Sequence, residues 1–322
     1  MLKRILITGV DGFIGSWLAR TLRENGAEVF GLSRRSEEST DGVVRFRGEI
    51  TNRAEVEAAV RESRPDGIFH LAAQNNVMRS IRDPNETVSV NIQGSVHLFE
   101  AVRTCSPAAR VISVGSSSEY GKTASLHPFL EENLPLLPSN GYGAAKAGQG
   151  MFAAVFARVF GLDIIHVRPF AVIGPGKTGD ALADFCQGVV EIERGSKQTL
   201  AVGNLTAVRD FVDVRDCVSA FLLLLEHGKG REVYNVCNAR EGSLEEVLGI
   251  LRGLASCPIQ TEVDPDRMRP ADDLRIVGNN RKLRECGYSA GYALATTVRD
   301  TLAWWRSQSF SGPGFQAKEG NR

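Results

Sequence analysis

The sequence predicts an α/β protein, a doubly wound parallel sheet with helices on both faces, followed by a smaller C-terminal domain. Three observations predict it. Short apolar runs alternate with helical stretches through the first half of the chain, the rhythm of strand–helix–strand units. The first run, Ile5-Leu6-Ile7, is apolar at successive positions, as a strand buried on both faces requires. Directly after it, Gly9, Gly12 and Gly15 stand in a G-x-x-G-x-x-G spacing before a helical pattern at Trp17-Leu18-Ala19. A strand, a glycine turn and a helix start make a phosphate-binding device. The glycines let the backbone approach a pyrophosphate, and the helix N-terminus offers free N–H groups and its positive dipole end. Phe13, Ile14 and the three glycines are therefore candidate dinucleotide contacts.

Size and charge bound the rest. A chain of 322 residues can bury one large or two smaller cores. Lys plus Arg equals Asp plus Glu at 38 each, so charge points to neither a nucleic acid nor a membrane partner. A run of about 18 apolar residues, the mark of a membrane span, is missing. The chain opens on a strand, and no signal peptide is expected. The six cysteines are scattered without a C-x-x-C pair. They read as reduced thiols of a cytoplasmic protein, with neither a disulfide frame nor a metal site expected. Ser307 to Arg322, rich in Gly, Ser and charge, reads as a frayed tail.

Taken in order, Glu28 to Leu32 is the second strand, ending at Ser33-Arg34-Arg35. The end of strand two in this fold class faces the adenosine ribose. An acid there suits a 2′-hydroxyl and an arginine suits a 2′-phosphate, so Arg34 or Arg35 favours NADP(H) over NAD(H). Val43 to Phe46 is a third strand, followed by Gly48-Glu49-Ile50, of which Glu49 and Ile50 are candidate adenine-side contacts. Asn52 to Glu62 is a helix capped by Thr51 or Asn52. Gly67 to Leu71 is the fourth strand. The small residues Ala72 and Ala73 after it let the chain lie close against a cofactor, with Leu71 beside them. Asn91 to Val102 reads as one long helix with Val96, Leu98, Phe99 and Val102 facing the core, and Arg110 to Val114 is the fifth strand.

At the carboxyl end of that strand comes the polar cluster Gly115-Ser116-Ser117-Ser118-Glu119-Tyr120-Gly121, where open α/β sheets place their ligands. After a Pro-rich loop, Tyr142 and Lys146 follow at i and i+4, on one face of a helix. An ammonium near a phenol favours the phenolate, which predicts a lowered Tyr142 pKa. Ile164 to Phe170 is the sixth strand.

Together these residues resemble the extended short-chain dehydrogenase/reductase family, enzymes built on an NAD(P)-binding Rossmann sheet. The resemblance rests on Gly9, Gly12 and Gly15, the serine cluster before Tyr120-Gly121, and the Tyr142-x-x-x-Lys146 pair, in that order along nearly the whole chain. It implies that Tyr142 transfers a proton at a sugar carbonyl, that Lys146 supports it and binds the nicotinamide ribose, and that Ser116 holds the substrate oxygen. The segments Val202-Gly203-Asn204, Val208 to Asp216, Val233 to Cys237 and Asp264 to Pro270 are similar to the GDP-mannose branch of the family, most of all to its 4-keto-6-deoxymannose reductases. That likeness implies NADPH-dependent reduction of GDP-4-keto-6-deoxy-D-mannose to GDP-D-rhamnose. Ser117, Ser118, Arg209 and Arg269 would contact the sugar nucleotide, and arginine forks suit its diphosphate.

Three positions depart from the pattern. Dehydratases of the branch carry a Glu two residues before the Tyr of the serine cluster; Ser118 stands there, and Glu119 lies one residue later. A hydroxyl is a poor base for a carbon acid, which argues against a 4,6-dehydratase and for a simple reductase; the alternative is a nucleotide-sugar dehydratase or 4-epimerase on the same fold. Ala171 stands where relatives carry an Asn that contacts the sugar nucleotide, and Glu49 where many carry Asp. The expected division is a dinucleotide-binding domain over 1–170, with 210–236 returning to it, and a mainly substrate-binding domain over 171–322. The resemblance also implies a homodimer joined through a four-helix bundle, using the helices near Asn91 to Val102 and Tyr142 to Phe160.

Overall fold

Successive residues of strand β1 (Arg4–Thr8) feed two different hydrophobic cores. Ile5 and Ile7 face one and Leu6 the other, and all three are fully buried. That is the period-2 geometry of a strand covered on both faces, and it sets the layered plan. The computed structural model describes residues 3–34, 41–267 and 274–308.

After β1 the chain runs through α1 (Phe13–Glu24), β2 (Glu28–Ser33), β3 (Val44–Arg47), α2 (Arg53–Ser63) and β4 (Gly67–His70). Two short helices, α3 (Val77–Arg82) and α4 (Pro84–Val88), lead through a π-helical turn at Ser89–Gln93 into α5 (Gly94–Cys105). Then come β5 (Arg110–Val114), α6 (Gly141–Val159) and β6 (Ile164–Pro169). The expected single helix from Asn91 is thus divided. Asn91 lies in the wide turn, where its side chain accepts from Gln74 N at 2.8 Å and donates to Gln74 O at 2.9 Å. Those two bonds satisfy the backbone N–H and C=O of Gln74 in the irregular segment after β4. Asn52 is the helix cap, accepting from Ala54 N at 3.1 Å.

The second half contributes β7 (Ala171–Ile173), α7 (Ala181–Glu193), β8 (Thr199–Val202), β9 (Val208–Arg209), β10 (Phe211–Asp213), α8 (Val214–His227) and β11 (Val233–Val236). It ends with β12 (Gly242–Ser243), α9 (Leu244–Leu254), β13 (Gln260–Val263), β14 (Arg275–Ile276), α10 (Arg281–Glu285) and α11 (Leu294–Ser307).

The central sheet has seven strands in the order β11-β6-β5-β4-β1-β2-β3, and every pairing is parallel. Strand order reverses between β4 and β1, so the crevice at a topological switch point opens at their carboxyl ends. Helices α1 and α8 cover one face; α2, α5 and α6 cover the other. Of 210–236, β11 joins the central sheet beside β6 and α8 packs on it, whereas β10 pairs with β7 outside it. A third core gathers α7, β8, α9 and α11 around Leu248, Val298 and Trp305. Among the described residues no helix is long and apolar enough to cross a membrane.

The face under α1 and α8 is filled by large rings. Phe221 of α8 stacks on Phe69 of β4 with centroids 6.4 Å apart, and both are fully buried. Phe221→Ala is expected to cost about 3–5 kcal/mol, read as a lower urea midpoint at unchanged slope.

Candidate active site

The glycine turn is shaped by two close approaches. Gly9 has φ +76°, and a Cβ there would lie 2.8 Å from Ala72 N. A Cβ on Gly15 would lie 2.3 Å from Gly9 O. The first turn of α1 therefore sits directly on the loop after β1, which in turn rests on Leu71 and Ala72 at the end of β4. The α1 N-cap is Gly12, which brings no side-chain acceptor to the first-turn N–H groups. A cradle that a single methyl would fill, facing an uncapped helix start, fits the diphosphate of a dinucleotide. Phe13 and Ile14 pack from this first turn onto the core beneath.

Around the cradle, Leu71 N donates to Thr8 O at 3.0 Å and Ala72 N to Thr8 Oγ1 at 3.2 Å. Ala73 follows in the same extended segment. Ser33 ends β2 with its hydroxyl donating to the Asp11 carboxylate, and Arg34 is exposed just beyond. Arg35 lies outside the described residues. Gly48 N donates to Ser33 O at 2.8 Å, which brings Glu49 and Ile50 alongside; Glu49 is exposed and Ile50 is buried under Gly94.

The second group gathers at the carboxyl end of β5, two strands away. Ser116 opens a short turn, its hydroxyl accepting from Ser118 N at 3.1 Å, with Ser117 and Ser118 half-buried. A Cβ on Gly143 would lie 2.4 Å from Ser118 O, so the first turn of α6 lies against the serine turn and Tyr142 meets Ser116. Burial pushes the Tyr142 phenol up to about 12, with the hydrogen bond to Ser116 pulling the other way. This reverses the lowered pKa expected from the sequence. The Lys146 ammonium does not face the phenol; it donates to Val114 O at 2.7 Å and to Gln149 Oε1 at 2.9 Å. Burial brings Lys146 down to about 8, against the attraction of Glu119.

Glu119 is fully buried and committed. It accepts from Ser116 N at 2.9 Å, from Arg168 Nε at 2.8 Å and from His166 Nε2 at 3.0 Å. Burial alone would raise its pKa; His166, Arg168 and the Ser116 N–H outweigh it and hold the carboxyl below the usual range. A carboxylate so occupied serves the serine turn and is no free base. Sequence reasoning does not reach Gln149, His166 or Arg168. The available signal is the alternation of His166 and Arg168 on one face of a buried strand, which demands an acid opposite.

Arg209 stands apart from both groups, on β9, donating to Val208 O at 2.9 Å. Arg269 lies outside the described residues. The described chain thus brings the glycine turn, Ser33, Leu71 and Ala72 into one groove and Ser116, Tyr142 and Lys146 into the next, along the carboxyl ends of β2, β1, β4 and β5.

Glu119→Ala leaves the Arg168 guanidinium buried and uncompensated and is expected to cost about 3–5 kcal/mol. Ser118→Ala, one residue away and half-exposed, should stay within about 0.5 kcal/mol. Equal urea midpoints for the two variants would refute this assignment of Glu119.

Comparison with known proteins places this arrangement. Residues 5–237 match the NAD dependent epimerase/dehydratase family. The chain is 30% identical over 247 residues to GDP-6-deoxy-D-mannose reductase of Pseudomonas aeruginosa, covering 76% of this chain and 81% of that protein. Among solved structures, RMD from Pseudomonas aeruginosa complexed with NADPH superposes with a TM-score of 0.83 at 26% identity, over 95% of this chain and 99% of that one. UDP-glucose 4-epimerase of Thermus thermophilus, in complex with NAD, superposes with a TM-score of 0.85 at 28% identity, over 95% and 100%. The chain belongs to the NAD dependent epimerase/dehydratase family, the extended short-chain dehydrogenase/reductases, and is an NAD(P)-dependent enzyme.

Proposed function

We propose that this enzyme is an NADPH-dependent reductase of a nucleotide-linked 4-keto-6-deoxy sugar, with GDP-4-keto-6-deoxy-D-mannose as substrate and GDP-D-rhamnose as product. The observation that carries the reading is the state of Glu119. Ser118 stands where a dehydratase needs a carboxylate, and the acid beside it is locked into Ser116 N, His166 and Arg168. No base for proton removal next to a ketone is then supplied by the serine turn, whereas reduction needs none. The likeness to the Pseudomonas aeruginosa reductase supports the GDP-linked sugar, and Arg34 at the end of β2 supports NADPH.

The glycine turn, Leu71, Ala72 and Lys146 would hold a nicotinamide dinucleotide, which would supply the hydride for the ketone carbon. The chain does the rest. Ser116 and Tyr142 polarise the ketone oxygen, and Tyr142, kept a phenol by burial, donates the proton. Lys146 holds the ribose and keeps positive charge near the developing oxyanion while it remains an ammonium. Arg209 and Arg269 serve the diphosphate of the sugar nucleotide, and the 171–322 portion caps it. Ala171 offers a methyl where relatives carry an amide, so the sugar nucleotide is held there without that hydrogen bond.

The enzyme works as a cytoplasmic homodimer in this reading. All six cysteines are free thiols. Met151, Val155 and Val159 recur along one side of α6 at 62%, 48% and 69% exposure, an apolar stripe suited to a second copy. Val155→Glu combined with Val159→Glu should turn a dimer into a monomer in sedimentation; a wild-type monomer would remove the dimer.

The decisive assay is NADPH consumption with the keto sugar generated in place from GDP-mannose by a separate dehydratase. Consumption only when that dehydratase is present supports the reductase. Keto sugar formed from GDP-mannose without it would overturn the reading in favour of a dehydratase. Tyr142→Phe should bind NADPH as before and lose at least about a hundredfold in kcat.

The pH profile follows from Lys146. It is an ammonium below about 8 and loses that charge above it, so kcat for reduction should fall as pH rises through about 8. Lys146→Met should be slow at every pH and show no such step.

A further inference from the structure

Asp11 is the acid of the glycine turn, and its side chain is only 18% exposed. One oxygen accepts from Arg45 Nε at 3.1 Å and Nη2 at 3.0 Å; the other accepts from the Ser33 hydroxyl. The same guanidinium, 11% exposed, donates to Asp41 at 2.7 and 2.8 Å. One cation is thus shared by two carboxylates beside the last residue of β2. In dinucleotide folds an acid at that strand end receives the ribose 2′-hydroxyl. Here Ser33 and Arg34 occupy the strand end, and the acid arrives from the glycine turn, one hydrogen bond away from Ser33.

These groups pull in opposite directions. A carboxylate beside the ribose accepts from a free 2′-hydroxyl and repels a 2′-phosphate. A guanidinium beside it cancels the repulsion, and Arg34 adds attraction. We propose that Asp11 and Arg45 set the choice between NADP(H) and NAD(H), Asp11 opposing the 2′-phosphate and Arg45 offsetting Asp11. Selectivity is then a charge balance across β2, the glycine turn and β3, and Arg34 does not determine it alone. The inference deepens the NADPH reading and rests on the dinucleotide groove, independent of the sugar.

Asp11→Asn removes the charge and keeps an acceptor oxygen for Ser33 and Arg45. The purified full-length protein is titrated with NADPH and NADH by fluorescence. Calorimetry follows adenosine 2′,5′-bisphosphate and 5′-AMP, each at low and high salt. Removing one unit charge near a phosphate dianion is worth about tenfold at a water-like dielectric. Asp11→Asn should therefore raise the NADPH-to-NADH affinity ratio about tenfold, through tighter NADPH, with the gain shrinking at high salt. Arg45→Gln should lower the ratio. Both effects should recur with the two adenosine nucleotides, which carry no nicotinamide and need no substrate. Affinities that change in parallel for both cofactors would make Asp11 a structural residue of the turn and overturn the proposal, as would an unchanged ratio. Should Asp11→Asn not fold, an Arg45→Gln ratio equal to or above wild type overturns it by itself. Because no sugar is present, failure of the reductase reading leaves this result standing, and the reverse holds too.

Discussion

One carboxylate holds the carboxyl end of β5 together. Glu119 follows β5, yet two of its three side-chain partners, His166 and Arg168, come from β6, and the third is the backbone N–H of Ser116. Burying an ion costs several kcal/mol unless its lone pairs are engaged, and here three hydrogen bonds engage both carboxylate oxygens. Arg168 goes on to donate to Tyr120 Oη at 3.1 Å and Glu132 O at 3.0 Å, and Tyr120 donates to Asn235 Oδ1 of β11 at 2.7 Å. The same cluster therefore fixes the serine turn, the start of the loop after it and the last strand of the sheet. The position of the Ser116 hydroxyl, and through it the contact with Tyr142, depends on charges buried beneath the serine turn.

A second consequence is electrostatic. The same burial acts on Tyr142 and Lys146 and favours the neutral form of each, raising the phenol to about 12 and lowering the amine to about 8. The phenol is thereby kept as a proton donor across the neutral range, while the lysine sits close to its own midpoint. The two side chains are held by different partners, Lys146 by Gln149 and Val114 O and Tyr142 by Ser116.

The fold is legible because its signals are local. Ile5-Leu6-Ile7, the glycine spacing and the strand–helix rhythm each constrain neighbouring residues, and the seven-stranded parallel sheet follows. Strand ends agree to within a residue or so, with β2 running on to Ser33 and β6 stopping at Pro169. What stays hidden depends on partners distant in sequence. Asn91, in the π-helical turn, bonds Gln74, seventeen residues earlier. A lowered Tyr142 pKa rests on spacing alone; i and i+4 place two side chains on one face without fixing where an ammonium points, and Lys146 turns to Val114 O. Asp11 gives no signal, because its partners Ser33 and Arg45 meet it only after β2 and β3 pair.

The polar residues at the carboxyl ends of the strands form two kinds of site. At the carboxyl ends of β1, β4 and β5 they are buried and cross-linked. The Thr8 hydroxyl meets His70 Nδ1 at 2.8 Å, and His70 Nε2 meets Ser95 Oγ at 2.7 Å. Burial holds His70 down to about 3, so this ring is a neutral spacer that carries hydrogen bonds and no charge through neutral pH. At the adenosine end the charges are nearer the surface, with Asp41 and Arg34 exposed and Arg45 bridging Asp11 to Asp41. A change in a buried network disturbs several elements at once, whereas a change at the rim of β2 and β3 meets fewer buried partners. Burial thus separates a rigid, cross-linked cluster after β5 from a more exposed set of charges at the end of β2 within one sheet.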